Sequence, residues 1–308
     1  MKLFSGSSHP DLAQAIAKEL GVELGKVNLK TFSCGEQYVR YEESVRGKNV
    51  FIVQTGTEAS DSDIIETCLM CQAAKLGFAN SIHIVMPHFP YARQDRVSEP
   101  REPISAKLIA DILATAGANH VITLTLHSDQ IQGFFNAPVD SLSARRIFVE
   151  YFRKKKLPNP IVVSPDEGGA KAAKKFADEL GADLAIMHKT RPEHQKVEIL
   201  QLVGDIKGKT AILYDDMIDT GGSVCAAKKV LVEHGASSDI YLAATHPIFS
   251  GDAVKKLWEA KFKEVVVTDS IPTEGKEFPG LKICSVAPLL AEVIQHVESG
   301  QSVTAIYK

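Results

Sequence analysis

Short apolar runs rich in β-branched residues alternate with amphipathic helical segments along the chain. Strands that are apolar on both faces are typical of parallel sheets covered by helices on both sides. The predicted strands are Asn49–Thr55, Ser81–Met86, His120–Leu126, Pro160–Ser164, Leu184–His188, Thr210–Tyr214, Asp239–Ala244 and Glu264–Thr268. The predicted helices include Pro10–Leu20, Ile104–Ala116, Gly169–Leu180, Val224–Gly235 and Val286–Val297. The alternation predicts an α/β fold whose ligands bind at the carboxyl ends of the strands.

The length of 308 residues allows two domains of ordinary size. A boundary is predicted near Asp140–Arg146, which divides the chain into residues 1–144 and 145–308. The basic run Arg153–Lys156 follows this boundary, and it is interpreted as a solvated linker rather than a nucleic-acid patch.

The formal net charge of -3 gives no general attraction to nucleic acid or to acidic membranes. The first residues, Met1–Gly6, lack the apolar stretch of a secretory signal, and no later run approaches transmembrane length. We therefore expect a cytoplasmic protein with neither a membrane nor a nucleic-acid partner. The five cysteines fit a reducing compartment. Cys68 and Cys71 form a C-x-x-C inside a helical pattern, so they are interpreted as small apolar residues on a buried helix face.

The loop Asp215–Ser223 joins an apolar strand to a helix, and it begins with acids and ends with glycines and a hydroxyl. Gly221 and Gly222 let backbone N–H groups turn toward an anion at the start of the helix. The acids could accept hydrogen bonds from a sugar diol or help to hold hydrated Mg²⁺. A solvated turn with an aspartate cap is the alternative. The pattern resembles the loop that binds phosphoribosyl diphosphate (PRPP) in phosphoribosyltransferases and PRPP synthetases.

Further loops of this kind follow other predicted strands. Val163–Lys171 could bind pyrophosphate on its backbone, and Asp166 could contact a metal ion through water or simply cap the helix. Arg93 and Arg96 lie where a nucleotide would bind, although they could be ordinary surface cations. His127 lies at the carboxyl end of a strand, where a Mg²⁺–nucleotide site could form.

Together these residues resemble the ribose-phosphate diphosphokinase family, also called PRPP synthetases, over essentially the full chain. The matching segments are Phe32–Ser33 with Glu36, Glu43–Gly47, Phe89–Arg96, Pro103–Lys107, Gln130–Phe135, Ser164–Lys171, Asp215–Ser223 and Thr245–Gly251. The resemblance implies two tandem phosphoribosyltransferase-like domains, each a mainly parallel sheet flanked by helices. Residues 1–144 would bind nucleotide and support oligomerisation, and residues 145–308 would bind ribose 5-phosphate.

The resemblance also implies a reaction that serves nucleotide biosynthesis. The β,γ-diphosphoryl group of ATP would move to the 1-hydroxyl of ribose 5-phosphate, giving PRPP and AMP, with Mg²⁺ as cofactor. ATP would be held by Arg93, Gln94 and Arg96, with Phe32 and Glu36 from a neighbouring subunit. Mg²⁺ would be served by His127 and Asp166. The pyrophosphate loop would comprise Asp166, Gly168 and Gly169. Ribose 5-phosphate would be held by Asp215, Asp216, Asp219, Thr220, Gly221, Gly222 and Ser223.

The segment His188–Lys196 matches the catalytic flap of the family. Lys189 and Arg191 match its two key cations, which would close over the migrating phosphates and stabilise charge in the transition state. A surface hairpin with ordinary basic residues is the alternative.

Three residues depart from the family pattern. Thr125 stands where the family usually has Asp before Leu-His, Cys34 replaces Asp or Asn after Phe-Ser, and Asn136 replaces the acid after Gly-Phe-Phe. Thr125 removes a carboxylate that could orient His127 or tune the metal. These changes affect the expected nucleotide and metal sites, and they leave the residues of the ribose loop unchanged.

Two other functions stay open at this point. One is a phosphoribosyltransferase that uses PRPP, and the other is a noncatalytic or regulatory paralogue of the synthetase. The family forms homo-oligomers, commonly hexamers built from dimers. Phosphate and ADP regulation is expected at an allosteric site that matches Ser44, Arg46, Arg101 and Ser302.

Overall fold

The computed structural model describes residues 1–190, 199–304 and 306. Its strands are β1 (Lys2–Ser5), β2 (Val27–Thr31), β3 (Gln37–Tyr41), β4 (Asn49–Val53), β5 (Ser81–Val85), β6 (His120–Leu124), β7 (Val139–Leu142), β8 (Pro160–Ser164), β9 (Asp183–Thr190), β10 (Ile199–Val203), β11 (Thr210–Ile218), β12 (Tyr241–Pro247), β13 (Glu264–Thr268) and β14 (Leu281–Cys284). Its α-helices are α1 (Pro10–Leu20), α2 (Ser60–Leu76), α3 (Ser105–Ala116), α4 (Arg145–Lys155), α5 (Ala170–Leu180), α6 (Gly222–Glu233), α7 (Ala253–Ala260) and α8 (Ala287–Ser299). A 3₁₀ helix covers Asp129–Phe134.

The chain divides into two compact units. The first contains Met1–Ser143, Ser270–Pro272 and Ser285–Lys308, and the second contains Ala144–Asp269 and Thr273–Cys284. A division of the sequence at residue 144 does not capture the return of α8 to the first unit, and the assignment of a separate role to each half stays a prediction.

The first unit is built on a parallel sheet with the strand order β1-β4-β5-β6-β7. The strands β2 and β3 form a separate antiparallel hairpin. Residues 50–53 of β4 are completely buried, because the strand lies inside the sheet and is covered on both faces. Helix α1 illustrates how the local sequence sets the helix ends: Pro10 stands at its first position, and Gly21 ends it in the left-handed conformation.

The second unit contains a seven-stranded sheet in the order β10-β9-β8-β11-β12-β13-β14. All of its pairs are parallel except β9 with β10, which form a hairpin. Its core contains a cluster of aromatic rings, in which Phe176 and Tyr214 lie 4.6 Å apart. Both units therefore confirm the predicted mainly parallel sheets flanked by helices.

All of the predicted strands and helices are present, with shifts of a few residues at their ends. The interpretation of the basic run Arg153–Lys156 as a linker is wrong, because this run forms the last turn and the C-cap of α4. Lys155 pairs with Glu264 at 2.5 Å, and Arg153 donates to the main-chain oxygen of Glu179. Cations are favourable at a helix C-terminus, so this run ends a packed helix instead of linking two domains.

The C-x-x-C residues lie on α2 as predicted. Cys71 is fully buried and Cys68 is half-buried, and both are free thiols. Burial raises the pKa of Cys68 to about 11, so this thiol is not activated for redox chemistry. Within the described ranges, every helix is too short or too polar to cross a bilayer.

Candidate active site

The sheet of the second unit reverses its winding between β8 and β11. From β8 the chain passes through α5 to β9 on one side, and from β11 it passes through α6 to β12 on the other side. The two central strands pair in parallel, with Leu213 opposite Val163. Such a reversal opens a crevice at the carboxyl ends of the two strands, where ligands of α/β proteins bind. The loops after β8 and β11 both carry predicted site residues.

Strand β11 is longer than predicted, and this corrects the position of two acids. Asp215 and Asp216 lie within β11, which pairs with β12 as far as Ile218 opposite Pro247. The first acid after the apolar run therefore does not mark the end of the strand. The connecting loop contains only Asp219, Thr220 and Gly221 before α6 begins.

The loop after β11 forms an open helix N-terminus. Gly221 has a φ of 72°, a conformation that glycine adopts without strain, and it has no side chain that could cap α6. Thr220, Gly222 and Ser223 are exposed. The first N–H groups of α6 and two hydroxyls are thus presented together, which is the arrangement of an anion-binding site.

The acids of β11 form a crowded carboxylate pair. Burial raises the pKa of Asp215 well above its usual range, and the neighbouring Asp216 and then Asp166 raise it further. The Asp216 N–H donates to Asp215 Oδ1 at 2.9 Å. Because Asp166 contributes to this repulsion, the loop after β8 and the last part of β11 bring three carboxylates into one electrostatic cluster. A cation or the hydroxyls of a sugar diol would relieve it.

Asp166 orders the loop after β8. Its Oδ1 accepts a hydrogen bond from Gly169 N–H at 2.9 Å, and its main-chain oxygen accepts one from the Ser164 hydroxyl at 2.6 Å. A Cβ on Gly169 would lie 2.9 Å from Ser164 Oγ, and one on Gly168 would lie 3.3 Å from Asp166 Oδ1. A side chain at position 169 would therefore crowd the turn, and one at position 168 would press on the Asp166 carboxylate. Asp166 therefore caps this turn with Oδ1. A metal contact through its other carboxylate oxygen stays a prediction.

The predicted ATP residues of the first unit lie on two exposed segments. Arg93 and Arg96 are exposed after β5, and Gln94 is fixed to the start of α3 by the Ser105 hydroxyl, which donates to Gln94 Oε1 at 2.6 Å. Phe32 and Glu36 lie at the exposed tip of the β2–β3 hairpin, where Phe32 N–H donates to Glu36 O at 2.8 Å. Nucleotide binding by these residues stays a prediction.

The residues that depart from the family pattern lie in the first unit. Thr125 has a φ of 41°, which is strained for a β-branched residue, and it directly precedes Leu126 and the exposed His127. Asn136 donates to Asp111 Oδ1 at 2.9 Å, and Cys34 is exposed in the hairpin tip.

Most of the predicted flap, residues 191–196, lies outside the described residues. Arg191 lies outside the described residues, and only the backbone of Lys189, opposite Leu200 in the β9–β10 hairpin, is described. The preceding His188 contacts the Glu167 carboxylate with its Nδ1, which ties β9 to the loop after β8. Sequence reasoning missed this contact, since two ordinary polar residues far apart in the chain give no local signal.

The predicted allosteric residues are all exposed and belong to the first unit. The Arg46 guanidinium carbon lies 4.5 Å from the centroid of the Phe78 ring, and Ser44 Oγ accepts from Arg46 N–H at 3.4 Å. Ser302 donates to the Thr304 hydroxyl at 3.0 Å, and Arg101 lies before α3 with a φ of 77°. A common site for these residues stays a prediction.

A segment after β12 supports the loop after β11. Phe249 N–H donates to Ile218 O at 3.0 Å, and Ser250 N–H donates to Asp219 O at 3.1 Å. These residues fall in the stretch Thr245–Gly251, which was singled out for its resemblance but given no role. Its position beside the carboxyl end of β11 could have indicated this supporting role.

Comparison with known proteins gives matches along the chain. The family model described as the N-terminal domain of ribose phosphate pyrophosphokinase matches residues 1–117, and the phosphoribosyl synthetase-associated domain matches residues 192–308. The ribose-phosphate pyrophosphokinase of Wolinella succinogenes is 47% identical over 306 residues, which are 99% of this chain and 98% of that protein. The protein of the same name from Oceanobacillus iheyensis is 47% identical over 308 residues, which are 100% of this chain and 97% of that protein.

Among solved structures, the phosphoribosylpyrophosphate synthetase of Mycobacterium smegmatis has a TM-score of 0.92 and 44% identity, and the match covers 97% of this chain and 99% of that chain. The similarity therefore extends over nearly the full length of both proteins in sequence and in fold.

Proposed function

The chain belongs to the ribose-phosphate pyrophosphokinase family, and we propose that it transfers the β,γ-diphosphoryl group of ATP to ribose 5-phosphate. The products are PRPP and AMP, which places the reaction in nucleotide biosynthesis. The observation that supports this most is the arrangement of the loops after β8 and β11 at the point where the sheet reverses its winding.

Each loop has a separate task in this proposal. The 5-phosphate binds the open N-terminus of α6 with Thr220 and Ser223, and the ribose diol donates to Asp215 and Asp216. The loop Asp166–Gly169 binds the diphosphoryl group. The hydroxyl oxygen on C1 of the ribose loses its proton to water and forms a bond to the β-phosphorus of ATP. The bond from that phosphorus to the α,β-bridging oxygen breaks, and AMP leaves with that oxygen. The protein contributes alignment and charge stabilisation rather than a covalent intermediate.

The residues of the second unit fit a hydrated Mg²⁺. Asp166, Asp215 and Asp216 supply oxygen donors, and the raised pKa of Asp215 reflects repulsion that a cation would offset. Among the residues described, no group of three or more His, Cys, Asp or Glu side chains could hold a metal ion alone. A magnesium ion would therefore be bound largely through water and substrate oxygens, as is usual for Mg²⁺, and it would neutralise charge on the phosphates. In the first unit, His127 is proposed to contact the Mg²⁺ that accompanies the nucleotide.

ATP binding is assigned to the first unit. Arg93 and Arg96 can stack on the base or clamp phosphate, and Gln94 is fixed beside them. Phe32 and Glu36 would reach the adenosine of a neighbouring subunit. Lys189 and Arg191 would close over the phosphates during transfer. This arrangement makes a homo-oligomer, such as a hexamer built from dimers, the active form.

Regulation and location complete the proposal. Phosphate and ADP would bind a site formed by Ser44, Arg46, Arg101 and Ser302. Loss of both phosphate activation and ADP inhibition in Arg46→Ala would support this site, and unchanged responses would contradict it. A cytoplasmic location agrees with the free thiols of all five cysteines.

The reaction can be tested with the purified full chain, ATP, ribose 5-phosphate and Mg²⁺. We expect AMP and PRPP in equal amounts, and AMP only when ribose 5-phosphate is present. Asp219→Asn should raise the KM for ribose 5-phosphate more than the KM for ATP. Asp239→Asn is the matched control. Asp239 precedes β12 and therefore lies at the amino-terminal ends of the strands, away from the loop after β11. Consumption of PRPP would instead indicate a phosphoribosyltransferase, and the absence of both products would indicate a noncatalytic paralogue.

A further inference from the structure

The second unit contains a cavity that no part of the proposed reaction uses. The C-terminal end of α7 and the segment Phe278–Pro279 enclose about 370 Å³. Its apolar walls come from Leu257, Trp258, Phe262, Phe278 and Pro279. Trp258 is 60% exposed, although a large aromatic ring on a helix is normally covered. The cavity is thus lined by a largely exposed indole ring and two phenyl rings.

One wall of the cavity is held firmly by a buried lysine of α6. Lys228 is only 9% exposed, and its ammonium group donates to Ala260 O at 2.7 Å and also contacts Lys261 O. The same ammonium group lies 4.8 Å from the centroid of the Phe262 ring. These contacts fix the end of α7 and the ring that follows it. This wall of the cavity is therefore fixed before any ligand binds, as is typical of small-molecule sites.

The polar residues of the lining indicate what kind of molecule would bind. Glu259 and Lys261 line the cavity and are both exposed, and the Glu259 carboxylate also lies 3.9 Å from Lys255 Nζ. Their side chains can supply one acceptor and one donor beside the aromatic walls. A purely aliphatic ligand would leave both groups without a ligand partner. A planar nitrogen heterocycle can stack on the indole ring and use both polar groups at its edge. We propose that this cavity binds a nucleobase-sized heterocycle stacked on Trp258.

The inner walls of the cavity support the back of the loop after β11. A Cβ on Gly221 would lie 3.6 Å from Leu257 Cγ, so the cavity residue Leu257 packs close behind this loop. Phe278 contacts Phe249 with ring centroids 6.1 Å apart, and Phe249 is hydrogen-bonded to Ile218. A ligand that shifts Leu257 or Phe278 would change the loop. Binding in the cavity would therefore alter the affinity for ribose 5-phosphate, a consequence that rests on the proposed function.

The chain contains a single tryptophan, so intrinsic fluorescence reports directly on this cavity. Adenosine serves as the probe because it carries a base without phosphate. We expect saturable quenching of Trp258 by adenosine and none by inorganic phosphate or free ribose. Glu259→Ala should weaken the apparent affinity about threefold to tenfold through loss of one hydrogen bond. Lys263→Ala is the control, since Lys263 is exposed nearby but does not line the cavity.

Further variants separate this cavity from the predicted ATP site. The double variant Arg93→Ala with Arg96→Ala should keep the quenching, whereas Phe278→Leu should weaken it because an aromatic wall is lost. Thermal melting checks that each variant is folded. Linear, unsaturable quenching would overturn the proposal. So would quenching that is unchanged in both Glu259→Ala and Phe278→Leu, or lost in the arginine double variant.

The coupling is measured by calorimetric titration with ribose 5-phosphate. Saturating adenosine should change its Kd in the wild type by at least about twofold, and the change should be smaller in Glu259→Ala. An unchanged Kd would contradict the coupling alone. Failure of ribose 5-phosphate to bind at all would contradict the proposed function and the coupling, while the fluorescence result would still decide whether the cavity binds a heterocycle.

Discussion

The main-chain N–H of Gly169 donates to Asp166 Oδ1 at 2.9 Å, and this bond closes the loop that leads from β8 into α5. Ser164 lies beneath the same turn, because a Cβ on Gly169 would approach its hydroxyl to 2.9 Å. The loop is therefore packed against its own strand. Its shape depends on the absence of a side chain at position 169.

Gly169→Ala should destabilise this turn and impair catalysis. Gly169 has a φ of -78°, which alanine also adopts, so the cost comes from the contact with Ser164 and not from the backbone. We expect a loss of about 1–3 kcal/mol in the free energy of unfolding, as for other overpacked sites. Urea denaturation measures it. Adding Ser164→Ala should restore part of the loss, and a double variant whose cost is the sum of the two single costs would contradict the steric explanation.

Asp215→Asn should lower activity and raise stability. The pKa of Asp215 is raised by burial and by Asp216, so the folded chain binds this proton more tightly than the unfolded chain. Stability is then lost as the pH rises from the unfolded pKa of about 3.9 through the folded pKa. The asparagine removes this loss. We expect a higher Tm at pH 7, a difference that shrinks toward pH 4, and turnover reduced about 10- to 100-fold.

Cation binding by the carboxylates of Asp215 and Asp216 can be tested by the effect of Mg²⁺ on thermal stability. Mg²⁺ should raise the Tm of the wild type more than that of Asp215→Asn, because a ligand stabilises the folded state that binds it. Equal shifts in both proteins would show that Asp215 does not take part in cation binding.

Thr125 offers a matched pair of substitutions. Its φ of 41° suits Asn and Asp better than a β-branched residue, so Thr125→Asn and Thr125→Asp should both raise stability, by about 1 kcal/mol. Only Thr125→Asp restores the acid that the family usually has before Leu-His. It should lower the Mg²⁺ concentration needed for half-maximal activity, and Thr125→Asn should not. The same Mg²⁺ requirement in both variants would argue against a role for this position in metal binding.

Lys189→Ala and Arg191→Ala should each reduce turnover by at least ~10²-fold, as expected for loss of one preorganised charge in the transition state. Steady-state kinetics at saturating substrate measures the effect. Lys207→Ala is the control, since Lys207 is an exposed cation in the turn before β11. Nearly normal turnover in both flap variants would show that Lys189 and Arg191 have no catalytic role.

The elements that were predictable from the sequence are those buried on both faces. The strands β8 and β11 appear as continuous apolar runs, because each lies between two strands and beneath helices. The hairpin β2–β3 was missed, since all residues of its two strands are half-buried or exposed and neither strand is a continuous apolar run. Helix α4 was missed because its basic last turn was interpreted as a linker, although Phe148 and Phe152 of the same segment are buried.

The chemistry of the site was more accessible than its geometry. The order of acids, glycines and hydroxyls in Asp215–Ser223 predicted a phosphate loop, and α6 does begin at Gly222. The pairing of β11 with β12 through the acids could not be predicted, because it depends on a partner strand distant in sequence. The contact of His188 with Glu167 could not be predicted either, because it also joins residues that are distant in sequence.

Helix α8 has a consequence for how the chain is made. It packs on α1, and its Glu298 accepts hydrogen bonds from the amino group of Met1 and from Asn49, both at 2.9 Å. Met1 and Asn49 precede Glu298 by 297 and 249 residues, so they leave the ribosome well before it. The second unit is nearly complete before α8 exists. The unit that is begun first is therefore completed only after the second, and α1 waits for α8 with its contact surface uncovered.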